Sequence, residues 1–161
     1  MIDLVEDPKG AHRLIDLCTR VIIDWLKAQH AVMGDDVEGI FILDDIVGFI
    51  NEEHYKEFAH PYLKRICDAF PADWVKLYHN DAEVDACLNH LPDAGFNVLN
   101  WGKQKDIREV KQRVGDRMIA SRNASRARVS SDSAAFAPTS RRAAISTTDK
   151  PSMYFHSSTS P

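Results

Sequence analysis

Three short apolar runs, each ending on polar residues and separated from the next by a helical periodicity, predict an α/β fold with a parallel sheet. The links between them are short, as in parallel strands joined by right-handed helical crossovers. A small doubly wound sheet and a piece of a (β/α)8 barrel both satisfy that alternation. A closed barrel needs about 250 residues, and only three strand–helix units are legible in this chain of 161 residues. The expectation is therefore a partial (β/α)8 (TIM) barrel with a disordered C-terminal tail.

Asp7-Pro8 reads as a helix start, with Asp7 as N-cap and Pro8 at the first helical position. Leu14, Leu17, Cys18, Val21, Ile22, Trp25 and Leu26 then recur at helical spacing, to about Val32, and Gly34 stops the helix. The run Val37-Glu38-Gly39-Ile40-Phe41-Ile42-Leu43 predicts a buried parallel strand ending at Asp44-Asp45. Asn51 caps a second helix, Glu52 to Ala69, with Tyr55, Phe58, Tyr62, Leu63 and Ile66 on its apolar face. Pro61 should kink or break it. Trp74 to Tyr78 is the second strand, followed at once by His79-Asn80-Asp81. Ala82 to Leu91 predicts a shorter helix, with Asp81 as its cap and Asp81 to Asp85 as an acidic first turn. Phe96 to Asn100 is the third strand, and Lys105 to Val114 the last helix, closed by Gly115. No fourth strand is expected after Gly115-Asp116-Arg117-Met118.

Composition divides the chain into two parts, 1–118 and 119–161. The first has no serine and a single threonine, Thr19, whereas the second has eleven serines and four threonines in 43 positions. The first carries 14 Lys and Arg against 22 Asp and Glu, a net of −8; the second carries 6 against 2, a net of +4. Such a tail lacks the apolar surface to offset its ordering entropy. It is a basic interaction tail, a plain disordered extension, or the out-of-frame product of a disrupted reading frame; its abrupt onset and Arg/Ser/Ala richness favour the last.

A formal net charge of −4 argues against nucleic acid or an anionic membrane as partner. No apolar stretch is long enough to predict a membrane span, and the acidic N-terminus does not resemble a signal peptide. Cys18, Cys67 and Cys87 lie far apart in apolar-periodic segments and are expected as buried free thiols in a reducing cytoplasm.

In parallel α/β folds, reactive groups gather at the carboxyl ends of the strands. Those ends carry Asp44 and Asp45, then His79 and Asp81, then Asn100 and Trp101. Paired carboxylates beside a His-x-Asp pair could bind a divalent metal or divide acid and base roles between them. Each also has a plain structural role: Asp44 and Asp45 as a turn and cap, His79 as a satisfied histidine, Asn100 as a chain turn. HExxH, CxxC, GxSxG and a glycine-rich phosphate loop do not occur.

Several short motifs in order bring a family into view. Asp7-Pro8 with Ala11-His12-Arg13-Leu14-Ile15, then Gly34-Asp35 and Ile42-Leu43-Asp44-Asp45, resembles the middle of uroporphyrinogen decarboxylase-like proteins. Phe58-Ala59-His60-Pro61-Tyr62-Leu63-Lys64-Arg65 resembles that family's F-x-x-P-Y helix. His79-Asn80-Asp81, Ala94 to Asn100 and Val114-Gly115-Asp116 continue the likeness, which covers about residues 3–118.

The resemblance implies a (β/α)8 barrel and one of two activities. One branch of the family is a carbon–carbon lyase that decarboxylates the acetate arms of uroporphyrinogen, in tetrapyrrole biosynthesis, without a cofactor. The other transfers methyl groups from a corrinoid to a thiol, with zinc held by a His-x-Cys pair and a later Cys. His79 matches the zinc histidine, but Asp81 stands where the cysteine belongs, and the later cysteine has no counterpart. Asp45 falls near a porphyrinogen-contacting position. The decarboxylase arginines and essential aspartate lie upstream of the matching region, and its late histidine lies downstream.

The expectation is thus a truncated decarboxylase-family protein, cytoplasmic, with a small-molecule substrate and little activity alone. His79 and Asp81 are the candidate catalytic pair, and Asp44, Asp45 and Asn100 the substrate-binding set. Zinc on His79 and Asp81 belongs to the methyltransferase reading. Alternatives are a corrinoid methyltransferase fragment, a half-barrel module completed by a partner chain or a second copy, and a small metal hydrolase using Asp44, Asp45, His79 and Asp81.

Overall fold

A computed structural model of the chain describes residues 2–102 and 105–122, so the predicted disorder of the tail lies, from residue 123 on, outside the described residues. A short helix α1 (Asp3–Glu6) leads into the long α2 (Pro8–Met33). The Asp7 carboxylate accepts a hydrogen bond from the Gly10 N–H at 2.9 Å, so Asp7 and Pro8 take their predicted cap and first-turn roles. At the other end Gly34 adopts φ +82°, open to glycine without strain, and stops the helix.

Strand β1 (Gly39–Leu43) is followed by a 3-10 turn, Ile46–Phe49. The helix predicted from Glu52 to Ala69 is two helices, α3 (Glu52–Phe58) and α4 (His60–Asp68). Asn51 caps the first by accepting from the His54 N–H at 2.8 Å, and Pro61, which has no N–H to donate, sits in the first turn of the second. Strands β2 (Val75–Asn80) and β3 (Val98–Trp101) flank the short α5 (Leu91–Ala94). Helix α6 (Ile107–Val114) then leads through a 3-10 turn into β4 (Ile119–Arg122).

The sheet is wholly parallel, in the order β1-β2-β3-β4. A doubly wound sheet reverses its strand order at a switch point, whereas a barrel adds each strand beside the last. The order here is that of a barrel. Burial across the sheet is one-sided: Ile40, Tyr78, Asn80, Leu99 and Trp101 are buried, whereas Phe41 and Leu43 are exposed. Helices α3 to α6 cover the first face. The second, which would be the interior of a closed barrel, carries Leu77, His79, Val98 and Asn100 between the exposed residues.

Three expectations are corrected. A fourth strand does follow Met118: the Ile119 N–H donates to the Asn97 carbonyl at 2.9 Å and β4 pairs with β3. Its composition hides it, but buried Met118 and the Lys111 ammonium, bonded to the Gly115 and Met118 carbonyls, set up the turn before it. The predicted helix Ala82–Leu91 is instead a series of turns, with only Leu91–Ala94 helical. Val84, Ala86, Cys87 and Leu88 are all buried, and Asp85 between them is drawn out to Lys105 and Arg113, so distant contacts shape this segment. Asp81 caps no helix there; its own N–H donates to the Asp45 carboxylate at 2.7 Å.

The third correction concerns α2. Of its predicted apolar face Leu26 packs against the core as expected, but Leu14, Leu17, Cys18, Val21, Ile22 and Trp25 are exposed, and Cys18 is no buried thiol. Beside Leu26 the helix turns Ala11, Thr19 and Ile23 towards the protein. Thr19 is tolerated there because its hydroxyl donates to the Ile15 carbonyl at 2.8 Å. Cys67 and Cys87 are buried free thiols as expected.

Candidate functional site

The carboxyl ends of β1, β2 and β3 lie side by side, because the register pairs Leu43 with His79 and His79 with Asn100. His79 and Asn100 therefore emerge on the same, open face of the sheet. Their side chains meet, His79 Nδ1 to Asn100 Oδ1, at 2.6 Å. The other ring nitrogen, Nε2, stands 3.5 Å from the Asp81 carboxylate. The edge of Phe41, from β1, packs against the ring at a centroid distance of 5.9 Å and an interplanar angle of 65°. His79 is only 17% exposed whereas Asp81 is 56% exposed, so the imidazole is sheltered and its carboxylate partner is wet.

Asp45 joins this group by bonding the Asp81 backbone and so orients the loop after β2. Asp44 does not join it. Its carboxylate accepts from the Tyr78 hydroxyl at 2.9 Å and from the Val47 N–H at 3.4 Å, on the helix-covered side. Burial holds the Asp44 carboxyl above the usual carboxylate range, against the opposing pull of those two hydrogen bonds. Burial likewise pushes the Tyr78 phenol well above its ordinary value.

Tyr78 and Asn80 are the polar residues that sequence reasoning did not single out as site candidates. Asn80 is fully buried, and its amide donates to the Asp44 carbonyl while its Oδ1 has no hydrogen-bond partner among the described residues. Alternation along β2 holds the clue to both: positions 78 and 80 share the face opposite His79. A polar residue on the covered face must be bonded to something, and here that is Asp44.

The donor set does not fit zinc. No group of three or more His, Cys, Asp or Glu side chains among the described residues is placed to hold a metal ion. His79 Nδ1 is already engaged by an amide, which leaves the His79–Asp81 pair short of the four ligands zinc requires. The metal-hydrolase expectation for Asp44, Asp45, His79 and Asp81 fails on the same ground, since Asp44 turns to the covered side. A surface hollow lined by His12, Arg13, Asp16, Arg20 and Tyr62 shares no residue with the strand-end group.

Comparison with known proteins agrees with this architecture. The family model "Uroporphyrinogen decarboxylase (URO-D)" matches residues 1–121. The chain is 27% identical over 122 residues to the uroporphyrinogen decarboxylase of Chlorobium luteolum, covering 74% of this chain and 34% of that protein. It is 31% identical over 123 residues to the one from Chloroherpeton thalassium, covering 72% and 33%. Against the same enzyme of Hahella chejuensis the identity is 28% over 118 residues, covering 69% and 32%. The chain thus spans about one third of the length of the curated relatives it matches. No helix among the described residues is long and apolar enough to cross a membrane.

Proposed function

The chain belongs to the uroporphyrinogen decarboxylase family, and from that premise we propose that it is a partial decarboxylase barrel whose open sheet face takes a carboxylate-bearing tetrapyrrole. The cluster of His79, Asn100 and Asp81 at the strand carboxyl ends carries this reading. Decarboxylation of an acetate arm breaks the bond between the methylene carbon and the carboxyl carbon. Carbon dioxide leaves, the bonding pair stays on the methylene carbon, and one proton must arrive there to make a methyl group. The site therefore needs an acid, and an imidazolium supplies one near neutral pH.

His79 fills that role, giving up its proton at Nε2. Asp81 stands 3.5 Å from that nitrogen, and Asn100 holds the other. Asp45 acts through the loop that carries Asp81, and Asp44 through its bond to Tyr78. No cofactor enters this chemistry. The buried free thiols of Cys67 and Cys87 suit a reducing cytoplasm, where we place the protein.

Activity of this chain by itself is expected to be low, so binding is the first test. Titration with uroporphyrin, the air-stable oxidised form of the substrate, should give saturable binding. His79→Ala should weaken it about tenfold, and by general acid catalysis should lower any turnover of uroporphyrinogen by about 10²-fold or more. Absence of saturable binding by the intact chain would overturn the reading.

A second reading is favoured by the exposed Phe41 and Leu43 on the open face and by the outer edge of β1, which no strand among the described residues pairs. In it the chain is a half-barrel module that a further chain, a second copy included, completes. Methyl transfer through zinc has no such observation behind it.

A further inference from the structure

We propose that Asn100 is a positioning residue that fixes the tautomer of His79, holding the ring proton on Nδ1 and making Nε2 the atom that exchanges protons. The inference rests on the reading of His79 as the acid of this site and goes beyond it by assigning which nitrogen acts and what sets it.

An amide oxygen has lone pairs and no hydrogen, so a ring nitrogen 2.6 Å from Asn100 Oδ1 must itself carry the proton. A neutral imidazole has one N–H. With that proton on Nδ1, the lone pair falls on Nε2, the nitrogen that faces Asp81 at 3.5 Å. When Nε2 takes a second proton, the new N–H points towards a carboxylate. Both protonation states of the ring are then matched by their surroundings, an acceptor standing ready on each side of the cation.

The geometry holds because it is built into the sheet. His79 and Asn100 are register partners on neighbouring strands, and this contact needs no loop to hold it. Phe41 limits rotation of the ring from the β1 side. Free neutral histidine prefers the proton on Nε2, so the structure imposes the opposite choice. That makes the inference visible in a spectrum.

Long-range proton–nitrogen correlation on the full chain labelled with 15N-histidine, at a pH where His79 is neutral, reads both ring nitrogens. His79→Gln identifies the His79 signals among the others. The wild-type protein should show a pyrrole-like Nδ1 and a pyridine-like Nε2. Asn100→Asp, which keeps an oxygen acceptor, should preserve that pattern, and Asn100→Leu should shift the proton to Nε2.

A wild-type spectrum with the proton on Nε2 would overturn the assignment, whether or not the variants fold. So would an Asn100→Leu protein that folds and keeps the proton on Nδ1. Uroporphyrin binding separates the two levels. An Nδ1–H ring in a protein that does not bind uroporphyrin sinks the function and leaves the tautomer assignment standing; normal binding with an Nε2–H ring does the reverse.

Discussion

Asp44 shows how one side chain can carry both a structural role and a cost. It ties the 3-10 turn after β1 to Tyr78 on β2, and its carboxyl is held above the ordinary value of 3.8, first by burial. A carboxyl raised in the folded state stays protonated there while the unfolded chain ionises. Its stabilising contribution is complete below the unfolded value and is lost as pH rises through the folded one. Asp85, lowered first by its hydrogen bond to Lys105, contributes with the opposite sign and gains as pH rises. Asp44→Asn removes the contribution of Asp44 and leaves that of Asp85. Thermal melts from pH 3.5 upward should show the variant losing less stability than the wild type as the carboxyl range is crossed. Parallel curves would show that the Asp44 environment does not penalise its charge.

Among the elements, the tight turn after α5 should respond most sharply to a single methyl group. Gly95 adopts φ +101°, and a Cβ there would lie 2.9 Å from the Cβ of buried Cys67. Gly95→Ala should therefore cost about 2 kcal/mol, from backbone strain and from the collision of two side-chain stems. Urea denaturation would measure it, and a midpoint equal to that of the wild type would contradict the argument. Gly95 was legible as a turn in the sequence, as were the Asp7 cap, the break at Pro61 and all three predicted strands, because each is dictated by local chemistry. The turns over 82–90 were not. Their apolar spacing suits a helix, but ion pairs from Asp85 to Arg113 and Lys105 and the burial of four consecutive-turn side chains come from distant parts of the chain. The site shows the same division. His79, Asp81 and Asn100 follow from the rule that strand ends carry chemistry, whereas the Asp44–Tyr78–Asn80 network depends on which face each strand residue takes.

At the scale of the molecule, three features remain uncovered in the described residues. They are the open sheet face, the outer edge of β1, and the α2 stripe with Val21 58% and Trp25 64% exposed. Exposed patches of this kind mark association surfaces or aggregation hazards. Completion of the half-barrel by a further chain makes a definite choice among them: the sheet face and the β1 edge become interior, and the α2 stripe is not needed. Leu43, 66% exposed on that face, is the discriminating residue. Covering a leucine side chain contributes about 1.5–3 kcal/mol, and each 1.4 kcal/mol is about tenfold in affinity. Leu43→Lys should therefore weaken self-association at least tenfold in sedimentation velocity across a concentration series. The double variant Val21→Glu, Trp25→Glu should leave it within about twofold. The reverse outcome, dispersal by the α2 variant alone, would mean that copies meet helix to helix. The sheet face would then stay open to a small molecule, and the half-barrel module would give way to the decarboxylase reading.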